Sequence, residues 1–225
     1  MKIIASSLVG LALLATSARA DSIQQLADRA DDAAQVLRDW NRGSIDEQIP
    51  HALLDRAQCV VVIPHIYKAA WMLSVRYGKG LASCRNSVGT WSNPVFFQLT
   101  GIGFGFQGGL QASDIVLVLP RDNAAERLSR PNITLGGDLS IAAGPIGRRA
   151  EASTDWILQS EIYSYSRNRG VFAGASLEGA SLRANVTDNR TVYGSHSSVL
   201  GQMSTMQAPP AIVSDFVAAL NSMAR

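Results

Sequence analysis

Helical patterns at both ends of the chain enclose a middle that switches to strand periodicity at Cys59, and this arrangement limits the fold more than any other feature. Ile23, Leu26, Ala27, Ala30, Ala34 and Leu37 recur at helical spacing and predict an amphipathic helix from about Ser22 to Trp40, ended by Gly43. Ser44 and Glu47 form a capping-box pattern, which predicts a second short helix through Ala57 with Pro50 in its opening turns. From Cys59 the pattern reads as strands. Cys59–Ile63 is expected to be a buried strand stopped by Pro64, and Ala70–Tyr77 and Leu81–Arg85 to flank a turn at Gly78-Lys79-Gly80. Val95–Leu99, Phe104–Leu110 and Ile115–Leu119 continue the meander, followed by a short helix over Asp122–Leu128 and strands at Ile133–Ala143 and Leu182–Val186. Pro209-Pro210 opens a last helix with Ile212, Val213, Phe216, Val217 and Leu220 on one face. The expected class is α+β: an antiparallel curled sheet or partial β-barrel with amphipathic helices at the N- and C-terminal ends. An outer-membrane barrel would need alternation over strands of about ten residues throughout, and the helical ends and short strands argue against it.

The first twenty residues read as a secretory signal peptide. Lys2 supplies the positive start, Ile3–Ala15 the apolar stretch and Ala18-Arg19-Ala20 the small-x-small cleavage site. The remainder, 21–225, is expected to be a single exported domain, periplasmic or secreted, whose contact with a membrane is peripheral. Loss of Lys2 and Arg19 with the leader would leave acids and bases in balance, so the precursor's pI of about 8.7 is no argument for nucleic acid. An exported chain meets an oxidising compartment, and Cys59 and Cys84 fall in or beside strands separated by a short meander. A disulfide between them would add about 3.5 kcal/mol by the chain-entropy estimate. Two cysteines and three scattered histidines make a structural zinc site a poor reading, and no metal or cofactor is expected.

Several patterns resemble catalytic or cofactor motifs and fail on context. Gly103-Phe104-Gly105-Phe106-Gln107-Gly108 matches the dinucleotide-binding spacing, but the following residues read as strand, so no helix N-terminus would hold a pyrophosphate. Ser176 and Ser181 lack the nucleophile-elbow spacing. His51, His65 and His196 carry no recognisable acid or metal context, and nothing in the sequence brings Asp114 and Glu178 together. Charge is more informative. Asp21–Asp55 holds eight acids against three bases, whereas Arg56–Ser113 holds five bases, Arg56, Lys68, Arg76, Lys79 and Arg85, and no acid. A basic sheet of this kind is expected to meet either the acidic N-terminal helix or an external anion such as a lipid head group.

The segment Ile162–Gly179 reads as a tyrosine-rich strand, an Asn168-Arg169-Gly170 turn and a second strand made nearly bare by Ala173, Gly174, Ala175 and Gly179. It resembles the signature of the SYLF-domain family. Other landmarks match in order: Val61-Val62-Ile63-Pro64 with Lys68-Ala69, Tyr77-Gly78-Lys79-Gly80, Trp91-Ser92-Asn93-Pro94, Gly105–Asp114 and Ala143-Gly144-Pro145-Ile146-Gly147-Arg148. The resemblance implies a non-catalytic protein that binds membrane lipid, often of phosphoinositide type. Its contact surface would be basic and glycine-lined, with phosphate contacts from Lys68, Arg76, Lys79, Arg148, Arg167 and Arg169 and apolar contacts from Trp71 and Phe172. The expected partner is an anionic lipid or membrane surface, with another protein of the cell envelope as the alternative and nucleic acid not expected. Eukaryotic relatives are thought to reach lipid through a basic N-terminal helix. Here that helix is acidic and would be repelled by an anionic surface, so contact is expected elsewhere, with the helix docked on the sheet.

Overall fold

The structure is a computed structural model and describes residues 4–43, 48–70, 73–104, 109–145, 159–166 and 177–223. Side chains are described over 22–43, 48–67, 75–102, 113–145, 159–166 and 177–223. The helices are α1 (Ile4–Arg42), α2 (His51–Arg56), α3 (Ala124–Leu128), α4 (Val186–Tyr193), α5 (Val199–Ser204) and α6 (Ala211–Met223). The strands are β1 (Cys59–Ala70), β2 (Leu73–Cys84), β3 (Val95–Phe104), β4 (Gly109–Leu119), β5 (Ile133–Thr134), β6 (Ile141–Ala143), β7 (Ile162–Ser166) and β8 (Ser181–Ala184). Among the described residues they form one eight-stranded sheet in the order β5-β8-β3-β2-β1-β4-β7-β6, curled into a half-barrel. Every pairing is antiparallel except β6 with β7. The α+β class with helical ends is as the sequence predicts.

Strand alternation divides the core between the two faces of the sheet. Val60, Val62, Leu81, Phe96, Val116, Val118, Tyr163 and Tyr165 pack under α1, α2 and α6. Val61, Ile63, Phe97, Leu99, Leu117 and Leu182 form the opposite core with Leu128, Leu135 and Met203. Cys59 and Cys84 are register partners on β1 and β2 and are joined by a disulfide in that second core, as expected. Leu26, Ala30, Ala33, Ala34 and Leu37 of α1 are buried, so α1 docks through its apolar stripe; Ala27 is half-buried and Ile23 is 40% exposed. α1 is continuous through Ala20, and no described helix is long and apolar enough to cross a membrane.

The main departure from the sequence reading lies at Pro64. This proline does not stop β1. Val62 pairs with Leu81 and Tyr67 with Tyr77, which leaves four residues of β1 opposite three of β2: a β-bulge, where a missing N–H is tolerated. His65 takes the bend with φ 52°, and its N–H donates to Asp114 Oδ1 at 3.0 Å. The supposed turn Gly78-Lys79-Gly80 is the middle of β2, opposite the bulge. A Cβ on Gly80 would sit 1.9 Å from the Val62 carbonyl oxygen, so this glycine serves close backbone approach and not a turn. The breaks expected at Gly78–Gly80, at 100–103 and at 111–114 are absent and β1 to β4 are long strands, while the expected strand Phe104–Leu110 lies partly outside the described residues.

Smaller corrections have local causes. Pro50 is the N-cap of α2 and not part of it, and the Ser44–Glu47 capping box lies outside the described residues. Ile133–Ala143 is two short strands separated by a turn in which Gly136 has φ 82°. Helices α4 and α5 escape the sequence reading. Asn185 stops β8 by accepting the Asp188 N–H at 3.1 Å, and Ser198 caps α5 by accepting the Gly201 N–H at 3.0 Å.

Candidate functional site

Beyond the bulge the four central strands run on past both cores, and the sheet presents a projecting end. Alternation carries Tyr77 and Val75 onto the face that holds Leu81, and Ile102 onto the face that holds Phe96; Tyr67 is the register partner of Tyr77. Further back that face is covered by α1. At the projecting end it is open: Tyr67 is 61% exposed, Val75 49%, Tyr77 43% and Ile102 66%. Four large apolar side chains side by side on adjacent strands make a patch and not scattered exposure. The sequence reading missed it because the expected breaks at Pro64 and Gly78 hid the continuous alternation.

The five bases of the acid-free stretch have different fates. Arg85 is structural: its Nε donates to the Ala57 carbonyl at 3.0 Å, and its guanidinium stacks 4.5 Å from the Trp91 ring centroid. Arg56 is exposed at the end of α2, at the base of the sheet. Lys79 lies on the α1 face, where its Nζ is 3.7 Å from Asp188. Arg76 alternates to the opposite face of β2, directly across from Lys68 on β1 and Gly101 on β3. It is half-buried, and its Nε is enclosed with no hydrogen-bond partner among the described residues. Burial holds its guanidinium below the ordinary arginine value. A basic residue placed directly opposite another basic residue in an antiparallel pair is unfavourable unless an anion joins them.

The side chains of Lys68, Trp71, Arg148, Arg167, Arg169 and Phe172 lie outside those described. Their flanking strands show a common direction. β1 ends and β2 begins at the projecting end, as β3 ends and β4 begins there, and β6 and β7 both run toward it. The fingerprint-like glycines at 103–108 lead into strand β4, as expected, so no dinucleotide helix follows.

A groove of about 320 Å³ separates α1 from the bulge. Gln25, Asp28, Arg29 and Asp32, spaced on one helix face, form its α1 wall; His65, Tyr67, Tyr77 and Lys79 line the sheet side. His65 has the acid context that the sequence hid: its Nδ1 is 3.6 Å from Asp114 and its Nε2 3.9 Å from Asp32. Among the described residues, no group of His, Cys, Asp and Glu has the arrangement needed to hold a metal. Charge pairing across α1 differs from the expected acid-on-basic contact. Arg29 pairs with Asp188 of α4 at 2.6 Å, and Arg38 with Asp215 of α6 at 2.8 Å. Apolar burial is the larger contribution to the docking of α1: a buried leucine contributes about 1.5–3 kcal/mol, against at most about 1 kcal/mol for an exposed ion pair such as Arg38–Asp215.

Comparison with known proteins agrees with this architecture. Residues 100–223, more than half of the chain, match the Ysc84 family, described as "Las17-binding protein actin regulator". The human "SH3 domain-containing YSC84-like protein 1" is 34% identical over 173 residues, covering 75% of this chain and 50% of that protein. "Protein YSC84" of Saccharomyces cerevisiae is 35% identical over 189 residues, covering 80% of this chain and 40% of the yeast protein. The chain thus spans about half the length of the curated relatives it matches or less. No solved structure matches it significantly. With the ordered motifs and the curled sheet, these matches establish that the chain belongs to the Ysc84, or SYLF-domain, family.

Proposed function

We propose that this protein binds anionic lipid surfaces through the projecting end of its sheet and catalyses no reaction. The observation that carries this reading is Arg76: a half-buried guanidinium across from Lys68, in a stretch without one acid, with its Nε unpaired among the described residues. A head-group phosphate would supply the missing counter-charge and accept the free N–H. The strip of Tyr67, Val75, Tyr77 and Ile102 on the other face gives the same strands an apolar surface suited to the head-group boundary, where tyrosine is at home. Arg148, Arg167 and Arg169 lie outside the described residues; they follow β6 and β7, which run toward this end, and bases brought there would add to the attraction.

Residues 1–20, read as a cleavable leader, would send the chain out of the cytoplasm, and the buried Cys59–Cys84 bridge fits an oxidising destination such as the periplasm. A protein partner is the second reading, favoured by the family's description as Las17-binding. Sedimentation with phosphatidylglycerol vesicles tests the first. Binding should exceed that to neutral phosphatidylcholine vesicles and fall as salt rises. Equal binding to both, or indifference to salt, would refute it.

A further inference from the structure

The groove between α1 and the bulge is chemically unlike the Arg76 face. Its α1 wall carries Asp28 and Asp32, both exposed; Asp28 accepts a single described hydrogen bond, from Gln24 Nε2 at 2.8 Å, and Asp32 stands 3.9 Å from His65. Its floor holds Tyr67 and Tyr77, directly paired across β1 and β2 and both open to solvent. Its β2 wall carries Lys79. Asp188 lies 2.6 Å from Arg29 but 3.7 Å from Lys79, so its charge is spent mainly on the arginine. Lys79 is left only partly compensated, with about a third of its side chain exposed.

One groove therefore offers carboxylates on its α1 wall, aromatic rings on its floor and an undercompensated ammonium on its β2 wall. The geometry points to a ligand that carries both charges: the zwitterionic head group of an ammonium phospholipid, of the ethanolamine type. Its phosphate would meet Lys79, and its ammonium would meet Asp28 and Asp32 over the tyrosine rings. A volume of about 320 Å³ is at the lower end for a small-ligand site and fits a head group without its chains. The chains have an exit. Val75 follows Tyr77 on the same face of β2, and Ile102 is its register partner on β3, so the apolar strip leads directly out of the groove toward the projecting end. This assignment rests on the lipid-binding reading, but adds a second, charge-balanced site on the opposite face from Arg76.

The test uses water-soluble probes followed by amide and side-chain NMR shifts. Dihexanoyl-phosphatidylethanolamine should perturb Asp28, Asp32 and His65, groove residues that lie outside the apolar strip. Dihexanoyl-phosphatidylglycerol, which lacks the ammonium, should perturb this set at least about tenfold more weakly. Glycerophosphoethanolamine, without chains, should reach the groove but not Val75 or Ile102, which separates a lipid from a free head group. The double variant Asp28→Asn/Asp32→Asn should weaken the ethanolamine lipid by about tenfold while binding to phosphatidylglycerol vesicles is kept. The proposal is overturned if the two short-chain lipids perturb the groove equally, or if the double variant, with unchanged spectra elsewhere, binds the ethanolamine lipid as well as wild type. Loss of vesicle binding in the wild-type protein would instead count against the Arg76 reading and leave these shifts to be judged alone.

Discussion

Replacing Gly80 with alanine should unbalance the whole sheet, because the bulge at Pro64-His65 leaves no room for a side chain on the strand opposite. The new Cβ would lie 1.9 Å from Val62 O, 2.8 Å from Val62 C and 2.7 Å from Ile63 Cα. All three are backbone atoms, so no rotamer change relieves the overlap. β1 must move by more than an ångström, and it is paired on both sides, with β2 and β4. Overpacking commonly costs about 1–3 kcal/mol, and a backbone obstacle on a central strand puts this case at about 3 kcal/mol or more. With a urea slope of about 1–3 kcal/mol/M, the midpoint should fall by about 1 M or more. Two companion variants bracket the result. Gly78→Ala meets side-chain atoms of Ile63 and Ile66 at 2.7 Å, which can yield in part. Gly89→Ala meets nothing within 4 Å and pays only for its φ of 80°, about 1 kcal/mol. Urea melts followed by far-UV circular dichroism should therefore rank Gly80→Ala as the most damaging of the three. A Gly80→Ala protein within about 0.5 kcal/mol of wild type would refute the bulge as the reason for the glycine, since such a difference is typical of neutral surface changes.

Removing the disulfide with Cys59→Ala/Cys84→Ala should cost about 3.5 kcal/mol, and with it roughly 7–14 °C in Tm at 2–4 °C per kcal/mol; calorimetry under non-reducing conditions reads it, and a shift under about 2 °C would contradict it. Leu37→Ala should cost about 2–5 kcal/mol, because Leu37 is fully buried between α1 and the sheet, and a chemical melt showing no loss would mean that α1 is not docked. The Asp138 carboxyl is held below its usual value by the Thr134 N–H, which donates to it at 2.7 Å. Its stabilising contribution is therefore complete above the unfolded carboxyl value and lost as pH falls through the lower folded value, so a carboxyl NMR titration should find its midpoint below that of a free aspartate, and a midpoint at or above it would contradict the contact.

How far the sequence reveals this molecule depends on the range of the cause. Helix α6 and the apolar stripe of α1 were legible because 3.6-residue spacing is written locally in Val213, Phe216, Leu220 and in Leu26, Ala30, Leu37. The disulfide is legible from the expected oxidising compartment and strand proximity together. Strand continuity through Pro64 was not, because a proline that ends most strands is accommodated here by a partner 49 residues away, Asp114, which accepts the His65 N–H. Gly78 and Gly80 looked like turn residues for the same reason: what they make room for is β1, not themselves. The candidate site divides similarly. The acid-free run containing Arg76 and Lys79 could be counted in the sequence, whereas their opposite faces follow only once β2 is known to be unbroken. The exposure of Tyr67 and Tyr77 depends on where α1 stops covering the sheet, which no local pattern records.

The most direct test of the central claim is a charge reversal at Arg76 compared with the same reversal at Arg56. Both residues belong to the acid-free stretch, but Arg56 is exposed at the base of the sheet and Arg76 lies at the projecting end. A basic residue near an anionic surface contributes about 1 kcal/mol, so Arg76→Glu should cost about 2 kcal/mol, roughly a thirtyfold loss of partitioning onto phosphatidylglycerol vesicles. Arg56→Glu should leave partitioning within about threefold of wild type, since its charge is held away from the surface by more than a Debye length of about 8 Å. If both reversals weaken binding equally, the protein is responding to net charge alone, and if Arg76→Glu binds as wild type, the projecting end is not the lipid-binding surface.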